Sequence, residues 1–184
     1  MLRKLTGLSI QDLIRRIQIN QDESAFNELY RQQFAKLFQF AFSFLGDKEA
    51  AEEIINDVFL KVWLNRKDMG QVLNIQVYLY VTVKNACLNY LRGATSKQLK
   101  ELNIAEAYYF HLSVDPAQLL ISKELQAFLL TAVDSLPPRC KLIFKMVKQD
   151  GLSCKEVAAI LNLSDKTVFA QLAIALKKLE SVLL

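Results

Sequence analysis

The chain has 184 residues, 52% of them hydrophobic and 23% charged, a globular composition that excludes disorder as its general state. Five glycines and three prolines are too few for the turns of a sandwich or barrel, so an all-β fold is excluded and long helices are expected. The net charge of +4 is a mild basic bias whose distribution says more than its size.

The apolar stretches at residues 37–45 and 77–83 fall short of the ~20 residues a membrane span needs, and Gln39 and Ser43 interrupt the first. Arg3 and Lys4 are followed by Gln11, Asp12, Arg15 and Arg16 instead of the apolar run of a secretory signal. No membrane insertion is expected, and the expected location is cytoplasmic. Cys87, Cys140 and Cys154 are odd in number and lack CxxC spacing, which points to buried reduced thiols. Together with His111 they fit no short chelating loop, so neither a metal nor another cofactor is expected.

Ser9 opens a short amphipathic helix with Ile10, Leu13, Ile14 and Ile17 on one face and Asp12 as capping partner. A core helix is predicted to start near Ser24, carry Phe26, Leu29, Tyr30, Phe34, Leu37, Phe38, Ala41, Phe42 and Leu45, and end at Gly46. Residues 48–66 form the next helix, with Ala51, Ile54, Ile55, Val58, Phe59, Val62 and Trp63 on one side, making a helical hairpin with its predecessor. Five acids, Asp47, Glu49, Glu52, Glu53 and Asp57, face one base over residues 47–57, whereas residues 121–184 hold nine bases and six acids. One end of the chain suits a basic partner and the other an anionic one.

Residues 65–74 read as a loop. Residues 75–92 then resume as a long run stopped by Gly93. Val77, Tyr78, Tyr80, Val81 and Thr82 have strand propensity, but Leu79, Val83, Ala86 and Tyr90 and the lack of any turn signal favour helix. The pattern weakens over residues 94–116, which contain Tyr108, Tyr109 and Phe110, and is helical again over 119–133. The expected organisation is therefore all-α: two small helical domains, residues 1–95 and 118–184, joined by a linker at 96–117.

Residues 151–168 read Gly-Leu-Ser-Cys-Lys-Glu-Val-Ala-Ala-Ile-Leu-Asn-Leu-Ser-Asp-Lys-Thr-Val. Ser153 and Glu156 make a capping box, and Ser164 with Asp165 caps a second helix eleven residues on. Val157, Ala158, Ile160 and Leu161 of the first helix and Val168, Leu172, Ala175, Leu176 and Leu179 of the second are expected to be buried. This is the pattern of a helix-turn-helix, whose second helix enters the DNA major groove. An ordinary helical corner is the alternative for this segment alone.

With the lead-in Ser135, Leu136, Pro137, Pro138, Arg139 and Cys140, this segment resembles region 4 of the sigma-70 family of bacterial initiation factors. Residues 47–63, Asp-Lys-Glu-Ala-Ala-Glu-Glu-Ile-Ile-Asn-Asp-Val-Phe-Leu-Lys-Val-Trp, are similar to the family's region 2 helix that docks on the polymerase clamp. Tyr78-Leu79-Tyr80, Lys84-Asn85 and Asn89-Tyr90-Leu91-Arg92 resemble the adjoining helix that handles promoter DNA. Two blocks in this order, joined by a short linker, are similar to the extracytoplasmic-function class.

The resemblance implies an alternative, non-enzymatic sigma factor whose partners are core RNA polymerase, promoter DNA and an anti-sigma factor. Asp47, Glu49, Glu52, Glu53 and Asp57 would contact polymerase, although a charged row is more often a solvated face. Tyr78, Lys84, Asn85, Asn89 and Arg92, with the loop at 66–74, would handle the −10 element. Core packing is the competing role for Tyr78 and Tyr80. Arg139, Lys155, Ser164, Lys166, Thr167, Ala170, Gln171 and Lys177 would bind the −35 element, with Gln171 able to read adenine. Asn89 departs from the family, which more often has an acid there. Phe169, Ala170, Ala173 and Ile174 also make the recognition helix unusually apolar, a face that suits thymine methyls or a regulatory partner. A helical adaptor or a helix-turn-helix regulator without sigma activity remains the alternative. A response regulator would show alternating strands and helices, and no P-loop, GxGxxG or HExxH signature of an enzyme is present.

Overall fold

In the computed structural model, residues 7–94 and 131–183 are described, and among them every regular element is helical. The expected linker at 96–117, most of the helix expected at 119–133 and His111 lie outside the described residues. The chain divides into two compact units between Leu102 and Asn103.

The N-terminal unit contains α1 (Ile10–Asn20), α2 (Glu23–Leu45), α3 (Lys48–Leu64), a 3-10 turn at Asp68–Gln71, and α4 (Ile75–Ala94). Ser9 caps α1 by accepting from the Asp12 N–H at 3.2 Å. α2 starts at Glu23, beside the expected Ser24, and its cap is Asp22, which accepts from the Ala25 N–H at 3.0 Å and from Arg16 Nε at 2.9 Å. These bonds, the backbone one foremost, lower the Asp22 carboxyl below its ordinary value. Gly46 ends α2 at φ 66, a left-handed conformation that glycine adopts without steric cost. Asp47 then caps α3 at once, so α2 and α3 fold back on each other as the expected hairpin.

α4 is helical in spite of its β-branched residues, because Ile75, Leu79, Val83 and Cys87 recur every four residues and are all buried. Gly93 does not stop it; the helix runs on to Ala94. Tyr80 is fully buried edge-on to Phe40, ring centroids 4.9 Å apart. Leu13, Ile17, Leu29, Leu37, Ile55 and Phe59 complete the centre of this core, each side chain stabilising it by ~1.5–3 kcal/mol relative to exposure.

The C-terminal unit contains a helical end at 131–134, α5 (Pro138–Lys148), α6 (Cys154–Leu161) and α7 (Asp165–Leu183). Pro137 and Pro138 start α5, where the missing N–H and fixed φ are tolerated. Ala132, Leu136, Cys140, Ala175 and Leu179 form one core cluster, with Val133 and Phe144 packed against it. Val157, Ile160 and Val168 join α6 to α7. Three expected core positions differ: Leu161 and Leu172 are only half-buried and Leu176 is exposed.

Candidate functional site

The acidic row lies on the outer side of α3. Ala51, Ile55, Val58 and Val62 turn inward, which by the 3.6-residue period leaves Glu49, Glu52, Glu53 and Asp57 exposed. Asp47 is also exposed, but its carboxylate is engaged as the cap of α3, bonded to the Ala50 N–H at 2.8 Å. Next to this row, α2 and α3 flank an open, mainly apolar cleft of about 410 Å³ lined by Phe26, Tyr30, Phe59, Leu60 and Trp63, with Glu23, Asn27 and Asn56 as its polar members. The Tyr30 hydroxyl donates to Asn56 Oδ1 at 2.9 Å, and burial with the nearby Glu52 charge raises its pKa. Leu60 and Leu64 stand exposed beyond the cleft. Sequence reasoning missed this apolar margin, although two leucines interrupting an otherwise polar helix face were its signal.

The face of α4 expected to meet DNA is continuous. Tyr78, Thr82, Asn85, Asn89 and Arg92 follow the i, i+4, i+7, i+11, i+14 order of one helix side. Asn85, Asn89 and Arg92 are exposed, while Tyr78 and Thr82 are half-buried. Thr82, which the motif reading passed over, spends its hydroxyl on the Tyr78 carbonyl at 2.8 Å. Lys84 does not belong to this face. It is only 6% exposed, and burial lowers its pKa, so the expected phosphate contact is corrected: the backbone period carries Lys84 round to the packed side.

The loop at 66–74 is tied down at several points. Arg66 donates to the Trp63 carbonyl and to Gln21 Oε1, both at 2.8 Å, and stacks over the Trp63 ring at 4.7 Å. Gln18 donates to the Lys67 carbonyl at 2.9 Å and Gln11 to the Leu73 carbonyl at 3.3 Å. Arg66 is therefore a structural clamp, whereas Leu73 is almost fully exposed.

In the C-terminal unit, α6 and α7 are bent 113° apart, within the range of a helix-turn-helix. Both arms of the expected capping box are present, Glu156 N–H to Ser153 Oγ at 3.3 Å and Ser153 N–H to Glu156 at 2.7 Å. Asn162 ends α6 in the left-handed region at φ 55, making the turn. Ser164 caps α7 by accepting from the Thr167 N–H at 3.1 Å, and its hydroxyl lies 2.8 Å from that of Thr167. Arg139, Lys155, Lys166, Ala170 and Lys177 are exposed. Gln171 is half-buried and its Oε1 accepts from Cys140 Sγ at 3.0 Å, so this oxygen already ties α7 to α5 where a bidentate adenine contact would need it.

Residues 29–97 match the family model described as Sigma-70 region 2, and residues 129–179 match that described as Sigma-70, region 4. The "Probable ECF RNA polymerase sigma factor SigI" of Mycobacterium tuberculosis is 26% identical over 148 residues, covering 78% of this chain and 50% of the relative. The chain thus spans about half the length of that relative. The "ECF RNA polymerase sigma-E factor" of Escherichia coli K12 is 24% identical over 168 residues, 88% of this chain and 87% of the relative. Among solved structures, the sigma factor RpoE in complex with the anti-sigma factor NepR from Bartonella quintana has a similar fold, with a TM-score of 0.53 at 21% identity, covering 86% of this chain and 96% of that one. With both blocks matched in the family's order, the chain belongs to the sigma-70 family, in its extracytoplasmic-function (ECF) class.

Proposed function

We propose that this chain is an alternative sigma factor that binds core RNA polymerase and directs promoter recognition, strand opening and transcription initiation in the cytoplasm. One observation carries the reading. The chain pairs an exposed acidic α3 face beside an apolar cleft with a separate helix-turn-helix whose exposed charges are mainly cationic. The acidic row suits electrostatic capture by a basic polymerase surface, and the cleft with Leu60 and Leu64 suits the desolvated centre of an interface.

On α4, Asn85 carries both a donor and an acceptor for an unpaired base edge, and Arg92 suits a phosphate. Extruding a base costs a few kcal/mol, and its capture returns ~1–3 kcal/mol. The helix-turn-helix grips the upstream duplex through Lys155, Lys166, Arg139 and Lys177. An anti-sigma factor is the regulatory partner this reading entails, in keeping with the complex in which the similar fold was solved.

The test is retention of the full chain on core polymerase, followed by run-off transcription on genomic fragments. Core binding with discrete start sites supports the reading. The apolar outer face of α7 favours one rival, a helical adaptor without promoter recognition, which would bind core polymerase yet yield no specific transcripts.

A further inference from the structure

The outward side of α7 carries an unusual chemistry for a helix that enters a groove. Phe169 is 58% exposed and Ile174 49%, and the exposed Ala170 and Ala173 lie between them. Lys166 and Lys177 mark the two ends of the same side, since positions 166, 170, 173 and 177 follow the helical period. Two of the polar groups near this face already have partners within the unit. Gln171 Oε1 accepts from Cys140, and the Thr167 hydroxyl pairs with that of Ser164. Between its lysines, the exposed side chains at 169, 170, 173 and 174 are all apolar.

The surroundings decide which partner fits. Among residues 131–183, Arg139, Lys148, Lys155, Lys166, Lys177 and Lys178 are exposed cations, against Asp165 and Glu180 as exposed acids. An apolar strip framed by cations complements a polyanion that itself displays apolar groups. Duplex DNA does so in its major groove, where thymine alone presents a C5-methyl and Phe or Ala can receive it.

We propose that α7 selects the upstream promoter element through thymine C5-methyl groups, with Phe169 and its neighbours Ala170, Ala173 and Ile174 as the specificity-determining surface. Lys166 and Lys177 anchor the flanking phosphates and carry no sequence information. This rests on the sigma reading above and names what the upstream site recognises. The preferred element is therefore rich in A·T pairs, with thymines on the strand that Phe169 approaches.

The test uses the full chain assembled with core polymerase on a genomic fragment that supports run-off transcription. The upstream block of that fragment is randomised, the duplexes the holoenzyme retains are sequenced, and each enriched thymine is replaced by deoxyuridine, which lacks only the methyl. Thymine enrichment is expected, with about fourfold weaker binding per methyl removed at one or two positions, equivalent to ~0.8 kcal/mol each. Phe169→Asn should bind the thymine duplex more weakly and lose the deoxyuridine penalty at its own position. Lys177→Ala should weaken both duplexes alike.

Equal binding of the thymine and deoxyuridine duplexes overturns the proposal and leaves the sigma reading intact, as does enrichment of guanine in place of thymine. Retention with no upstream preference at all also overturns it. Failure of the chain to bind core polymerase or to support any transcript overturns the sigma reading, and this inference with it.

Discussion

Lys145 gives a quantitative test of how the helix-turn-helix unit is held together. Its side chain is only 9% exposed on α5. Burial lowers its pKa from 10.5 to about 8, against the opposing attraction of Asp134 and Asp150 and with the help of the neighbouring Lys141 charge. The native state therefore binds this proton less tightly than the unfolded chain. The resulting destabilisation is full below about pH 8 and fades as pH rises toward 10.5, so this group makes stability increase with pH across that window. The difference corresponds to about 3 kcal/mol. Lys145→Met keeps the apolar stem and removes the charge, so the variant should be more stable than the parent by roughly 1–3 kcal/mol near neutral pH, with the gap closing toward pH 10.5. Urea denaturation followed by far-ultraviolet circular dichroism measures both. Trp63 is the only tryptophan and lies in the N-terminal unit, so its fluorescence identifies that unit's transition and the remaining one belongs to the C-terminal unit. Parent and variant curves that stay parallel across the window would refute a cost of burying this ammonium.

Reversing Glu52 and Glu53 to Lys should weaken core polymerase binding at low salt by tenfold or so, leave helical content unchanged, and differ less from the parent as salt rises; unchanged affinity across a salt titration removes the acidic row from the interface. Asn85→Ala should impair open-complex formation, read by permanganate footprinting, more on duplex promoter than on a template already mismatched at the downstream element, because the mismatch removes an unpairing cost of a few kcal/mol. Lys166→Ala should weaken both templates about equally, and equal losses for Asn85→Ala would return that residue to a structural role. Ser164→Ala removes the acceptor for the Thr167 N–H and should lower the stability of the C-terminal unit by ~1 kcal/mol in the same urea assay, with the Trp63 transition unmoved.

The elements were legible where a local signal and burial agree. Ser153 with Glu156, Ser164 and Gly46 each mark a helix end by chemistry that acts within four residues, and each stands where the sequence places it. The helical state of α4 was legible for a similar reason: the spacing of Leu79, Val83 and Ala86 outweighs the strand propensity of Val77 to Thr82. The start of α2 near Ser24 was legible to within a residue, whereas its cap was not read: Asp22 takes that role by accepting from the Ala25 N–H and from Arg16. Lys84 shares the buried side of α4 with Tyr80 and Cys87, a local period that its residue type obscured, whereas the Gln171 oxygen is engaged by a neighbour distant in the chain. Residue type assigned Lys84 to phosphate and Gln171 to adenine, but packing turns the first inward, and Cys140, thirty-one residues away, takes the oxygen of the second. The cleft between α2 and α3 was not legible because it arises from aromatic packing of Phe26 on Trp63 and Tyr30 on Phe59, which no linear motif records.

The two proposed DNA contacts also constrain where specificity arises. A methyl contact at α7 discriminates by about fourfold, and a base edge hydrogen-bonded by Asn85 at α4 by ~1–3 kcal/mol at most. Neither approaches the 10³–10⁷ preference typical of a specific DNA-binding protein facing a genome of competing sites. Held on one polymerase, the second contact becomes intramolecular and the two preferences multiply without any new contact. The free chain should therefore bind promoter and random duplex with nearly equal, strongly salt-dependent affinity, governed by the exposed cations of the C-terminal unit. The holoenzyme should separate the same two duplexes by orders of magnitude. Fluorescence anisotropy on labelled duplexes, with and without core polymerase, decides the matter. Strong discrimination by the free chain would mean that α7 reads the duplex through stronger contacts than its apolar face provides.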